Sequence, residues 1–97
     1  NITGIPSNPL HTVHIATPNP FSTRTEFRRP EQISKNSTLE IYDMKGGLLR
    51  TFSFADSDVI IWNGSDSDHN DVPGGTYIYI IHDNLGHSGY SGKVIRQ

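Results

Sequence analysis

Thr38-Leu39-Glu40-Ile41-Tyr42-Asp43-Met44-Lys45-Gly46-Gly47-Leu48-Leu49-Arg50-Thr51-Phe52-Ser53-Phe54 is the stretch from which the fold is read most directly. Leu39 and Ile41 flank Glu40, the period of two that turns one side of a strand to a core and the other to water. Lys45-Gly46-Gly47 follows, and glycine tolerates the positive φ that a tight turn demands. Beyond the turn, Leu49, Thr51 and Ser53 alternate against Leu48, Phe52 and Phe54. A β-hairpin satisfies all of this, and the i, i+3, i+4, i+7 spacing of a helix appears neither here nor elsewhere in the chain.

Working outward, Arg24 to Arg29 places Thr25 and Phe27 on one face and Arg24, Glu26 and Arg28 on the other, before Pro30 ends the run. Upstream, Thr17-Pro18-Asn19-Pro20-Phe21 interrupts pairing because two prolines withhold ladder donors; Phe21 is expected to plug the end of the core. Before it, Leu10 to Ala16 alternates with Val13 and Ile15 as its apolar side, a first strand. Downstream, Asp58 to Trp62 is rich in β-branched residues, and Asn63 to Pro73 is a polar loop. Gly74-Gly75 then leads into Thr76 to His82, expected to be a central strand with aromatic residues on one face and isoleucines on the other. Asp83-Asn84-Leu85-Gly86 reads as a turn, and Ser88 to Arg96 returns as a last strand carrying Val94 and Ile95. The expectation is all-β: a seven-stranded immunoglobulin-like or fibronectin-like β-sandwich over residues 11–97, with residues 1–10 a linker from an upstream domain.

Composition agrees and excludes several functions. Ninety-seven residues suit one domain, and 33% apolar residues suffice for two sheets that each turn one face inward. A formal net charge of -2 with scattered basic residues leaves no stripe for nucleic acid. The absence of cysteine removes disulfides, thiolate metal sites and cysteine nucleophiles together. No apolar run approaches the roughly 20 residues of a membrane-spanning helix, and residues 1–10 lack the pattern of a signal peptide. With Asn1 in place of an initiator Met, the chain is expected to be a fragment whose export signal lies outside it.

Four short motifs occur in order: Thr17-Pro18-Asn19-Pro20-Phe21, Leu39 to Gly47, Trp62-Asn63-Gly64 and Gly75-Thr76-Tyr77. Together they resemble the C-terminal sorting domains of type IX secreted proteins, a family similar in its sandwich to the immunoglobulin-like domain of flagellar hook-capping proteins. The resemblance spans residues 15–97, and Gly92-Lys93-Val94-Ile95-Arg96-Gln97 looks like the basic and aliphatic tail that closes sorting domains. Two departures stand out: Leu48-Leu49 follows the hairpin glycines, and the loop after Trp62 is longer than the family usual. The resemblance implies a non-catalytic domain that carries an upstream cargo through the periplasm to the cell surface or medium. Its partners would be an outer-membrane translocon and a sortase, and Pro18, Asn19, Pro20, Lys93, Val94, Ile95 and Arg96 would form its recognition residues. A structural module of a hook-cap or multidomain surface protein is the alternative, and a carbohydrate-binding accessory domain of a secreted hydrolase is a further one.

Asp66, Asp68, Asn70 and Asp71 supply alternating oxygen donors of the kind Ca²⁺ needs. The loop lacks the glycine and the bidentate glutamate of an EF-hand, so a solvated turn is the simpler reading and no cofactor is expected. His11 with His14, or His82 with His87, lacks zinc-site spacing. Serine, histidine and aspartate occur without a strand-elbow-helix segment, so no catalytic residues are expected and the chain reads as a non-enzyme. Trp62, Tyr42, Tyr77, Tyr79 and Tyr90 are a sugar platform if exposed and core if buried; Trp62, ending an apolar strand, is expected inside.

Overall fold

The computed structural model describes residues 15–83, 85 and 88–97. Its strands are β1 (Ala16–Thr17), β2 (Thr25–Arg28), β3 (Thr38–Tyr42), β4 (Leu48–Ser53), β5 (Val59–Trp62), β6 (Gly75–His82) and β7 (Ser88–Arg96), with no helix among the described residues. They make two antiparallel sheets, one of three strands in the order β1-β2-β5 and one of four in the order β4-β3-β6-β7.

Alternation decides what the sheets enclose. Thr25 and Phe27 of β2, Leu39 and Ile41 of β3, Ile60 and Trp62 of β5, and Val94 of β7 are all buried. Aromatic rings join the layers: Phe27 of β2 meets Tyr79 of β6 edge-on at 5.2 Å, and Trp62 of β5 meets Tyr77 of β6 at 5.7 Å. Each such pair adds about 1 kcal/mol beyond the area it buries. Trp62 also meets Phe21 at 5.4 Å, and Phe21 plugs the end of the core as expected. The indole N–H would be costly to bury alone, and it donates to the Ser65 carbonyl at 2.7 Å.

The hairpin closes as its sequence requires. The Asp43 N–H donates to the Gly47 carbonyl at 2.9 Å, Gly46 sits at φ 91°, and Asp43 Oδ1 accepts from the N–H groups of Lys45 and Gly47. The run from Leu48 to Phe54 alternates less cleanly than expected. The register passes from Ile41↔Arg50 to Tyr42↔Leu48, so Leu49 is an extra residue. Placed at the sheet edge, β4 has no buried side chain, and Phe54 just beyond it is the one that enters the core.

Two further differences concern strand faces. In β6 the core face is Tyr77, Tyr79 and Ile81, while Thr76, Ile78, Ile80 and His82 face outward. Ile81 therefore joins the aromatic side, because consecutive isoleucines must point to opposite faces. As expected, β6 lies inside its sheet, between β3 and β7. The first strand is described only as Ala16–Thr17; Ile15 and Ala16 are buried, and Val13 lies outside the described residues together with the expected linker.

Candidate recognition site along the last strand

As an edge strand, β7 turns every second backbone N–H and C=O away from β6, and such unpaired groups invite foreign strands. The chain covers part of this edge itself. Asn19 Nδ2 donates to the Lys93 carbonyl at 2.9 Å, and Asn19 Oδ1 accepts from the Ile95 N–H at 2.9 Å. The Phe21 N–H donates to the Ile95 carbonyl at 2.9 Å, and the Gln97 N–H to the Phe21 carbonyl at 2.8 Å, forming a parallel bridge between Phe21 and Arg96. Pro18 and Pro20 have no N–H to give, so the side-chain amide of Asn19 stands in for the missing backbone partner. Thr25 Oγ1 donates to the Pro18 carbonyl at 2.8 Å, anchoring the other end; the Thr17–Pro18 and Asn19–Pro20 bonds are cis.

The structure thus brings Pro18, Asn19 and Pro20 against Lys93, Val94, Ile95 and Arg96, and it sorts the latter by direction. Val94 is fully buried, while Lys93 and Ile95 are exposed on the outer face of the four-stranded sheet, opposite Ile78 and Thr76 of β6. Arg96 turns toward the loop after β5: Nη1 donates to the carbonyls of Gly64 and Val72, each at 2.8 Å. Its guanidinium lies so close over Gly64, at φ +80°, that an added Cβ would stand 2.7 Å from Nη1. Arg96 therefore seals a loop instead of offering a free basic end. Neither Gly64 nor Val72 stood out as a contact residue in the sequence; the Trp62-Asn63-Gly64 motif was the available signal.

The acidic loop is held by its own turn. Asp66 Oδ1 accepts from the N–H groups of Asp68 and Asn70 at 2.9 and 3.0 Å, and the Asp66 N–H donates to the Asn70 carbonyl at 2.9 Å. Asp68, Asn70 and Asp71 are exposed, and Asp71 Oδ2 leans toward Arg96 Nη2 at 3.9 Å. Among the described residues, no group of three or more His, Cys, Asp or Glu gathers as a metal site would. His11, His14 and His87 lie outside the described residues.

The aromatic residues divide between surfaces. Trp62, Tyr77 and Tyr79 are buried, Tyr90 packs against the core, and Tyr42 faces outward beside Ile78. They form no common platform. Tyr42 instead heads a row unforeseen in the sequence: its hydroxyl donates to Glu40 Oε1 at 2.8 Å, and His82 Nε2 lies 2.6 Å from the same oxygen. The hydrogen bond to the Glu40 carboxylate raises the Tyr42 pKa above its ordinary value.

An all-β chain of two facing antiparallel sheets, its last strand fastened by an upstream proline segment, is the class this geometry defines. Two solved structures from Porphyromonas gingivalis are similar to it. PorZ, an essential bacterial surface component of the type IX secretion system, matches with a TM-score of 0.67 at 19% identity over 84% of this chain and 11% of its own. Dimeric latent PorU matches with a TM-score of 0.63 at 24% identity over 84% of this chain and 9% of its own. At these identities the likeness is one of fold, and the chain spans about a tenth of either protein. No family model matches the chain, and no curated protein does.

Proposed function

We propose that this chain is an immunoglobulin-like, fibronectin-like sandwich that acts as a non-catalytic type IX sorting domain. It would direct a cargo attached upstream, through the periplasm and the outer-membrane translocon, to the cell surface or medium, where a sortase acts on it. The observation that carries the reading is the joining of Pro18-Asn19-Pro20 to Lys93-Val94-Ile95-Arg96. The segments that the family resemblance names for sorting, far apart in the chain, are hydrogen-bonded to one another, and this contact supports the reading. The fold shared with PorZ, a surface component of that secretion system, and with PorU gives the reading its context. The two sheets of three and four strands suit the fibronectin-like arrangement. No helix long and apolar enough to cross a membrane is found among the described residues.

The test is to fuse the whole chain behind a signal peptide and a fluorescent reporter in a type IX-competent bacterium and in a strain lacking the translocon. Reporter on the surface or in the medium of the first strain, and in the periplasm of the second, is the expected result. Periplasmic retention in both would sink the proposal and favour a spacer module of a surface protein.

A further inference from the structure

Of the sorting residues, only some are available to a partner. Val94 lies in the core and Arg96 is spent on the carbonyls of Gly64 and Val72, whereas Pro18, Asn19, Pro20 and Lys93 are exposed and Ile95 is 39% exposed. The two exposed groups come from segments more than seventy residues apart, and the side chain of Asn19 bonds to the backbone of the second group at two points. Lys93 has no carboxylate within salt-bridge reach among the described residues. Its cross-strand neighbour on β6 is Ile78, which with Ile80, Tyr42 and Met44 lines a groove of about 260 Å³ whose far end is the Asp43-Gly46 turn. An exposed lysine beside Ile78, with its backbone carbonyl held by Asn19, suits neither nucleic acid, which needs a basic stripe, nor a sugar, which needs an open aromatic face.

We infer that this chain is recognised as a composite folded surface, Pro18 and Pro20 on one side and Lys93 and Ile95 on the other, which takes a protein partner offering a carboxylate to Lys93 beside an apolar contact. The inference rests on the sorting reading above and deepens it, because it makes the signal conformational and not a linear terminal peptide. Asn19 is the positioning residue: it touches the partner less than it fixes the distance between the two halves. An opposite charge at a rim of this kind sets which partner is accepted and how fast it arrives, more than how tightly it is held.

The experiment uses the same reporter fusion with the full chain, in wild-type form and as Lys93→Glu and Asn19→Ala, together with a reporter that ends in residues 93–97 alone. Thermal melting of each purified domain, followed by Trp62 fluorescence, reports folding separately. Lys93→Glu is expected to melt within a few degrees of wild type while its exported fraction falls more than about tenfold. Asn19→Ala is expected to lose export similarly at temperatures where it is still folded, and the reporter bearing only residues 93–97 to stay in the periplasm. Wild-type export of Lys93→Glu, of folded Asn19→Ala, or of the reporter bearing only residues 93–97 overturns the composite surface and leaves the sorting reading standing. Retention of the wild-type fusion overturns both.

Discussion

Replacing Arg96 with alanine should destabilise the domain by about 2 kcal/mol, and the estimate comes from its partners. Arg96 Nη1 donates to two carbonyls at 2.8 Å each, from a side chain 16% exposed. Hydrogen bonds from charged donors contribute roughly 1.5–3 kcal/mol each when little screened. The Gly64 carbonyl also accepts the Val72 N–H at 2.8 Å, so it keeps a partner after the change; the Val72 carbonyl loses the bond described for it. The larger share of the cost belongs to that second carbonyl. The ion pair to Asp71 adds little, because it spans 3.9 Å to a carboxylate 79% exposed. For a domain of this size, about 2 kcal/mol lowers Tm by roughly 10 °C. Urea unfolding followed by the emission of Trp62 measures it directly, since the indole is buried and hydrogen-bonded to the same loop at Ser65. Asp71→Asn should stay within about 0.5 kcal/mol of wild type. The reasoning fails if Arg96→Ala is neutral, or if Asp71→Asn costs as much, for then charge attraction and not the gripping of carbonyls would hold the loop.

Gly64→Ala should cost more than about 2 kcal/mol, combining a left-handed backbone with a Cβ driven into the guanidinium, and a double-mutant cycle should show a smaller penalty on the Arg96→Ala background. Asp66→Ala should cost about 1 kcal/mol in urea unfolding by releasing the N–H groups of Asp68 and Asn70, while Asp66→Asn, which keeps an acceptor oxygen, should cost less than half as much. Saturating calcium should leave Tm unchanged, and a rise abolished by Asp66→Asn would establish an ion in that loop. Burial raises the pKa values of Tyr77 and Tyr79 above the ordinary phenol value, and the Glu40 hydrogen bond raises that of Tyr42. The folded state therefore keeps protons that the unfolded chain releases. Stability should be intact below about pH 9 and fall as pH rises past about 10, with tyrosinate absorbance growing in step with unfolding.

Strands with a clean period of two were legible from sequence, and β2 and β3 follow it residue by residue from Thr25 and Phe27 to Leu39 and Ile41. The burial of Trp62 and Phe21 was legible too, since large apolar side chains at strand ends have few other places to go. The bulge at Leu49 was not, because an inserted residue leaves local composition unchanged and shows only in the register against Ile41 and Tyr42. Pro18-Asn19-Pro20 and the residues from Lys93 were identified only by family likeness, as separate elements. That an asparagine between prolines would replace a backbone partner for β7 depends on where a strand seventy residues later comes to lie, which no local pattern encodes. Arg96 shows the same limit, as its spacing marks a strand residue but not the two carbonyls that receive its guanidinium.

The bridge between Phe21 and Arg96, closed by the Gln97 N–H on the Phe21 carbonyl, has a bearing on timing. A chain emerging amino end first from a ribosome presents Tyr77, Tyr79 and Ile81 before the strand that pairs with them, and Phe21 long before its bonding partners. Ordering so long a loop costs entropy that only the last contacts return. Until Val94 to Gln97 arrive, the core lacks Val94 and Phe21 lacks its bridge, so these residues are expected to close the fold late.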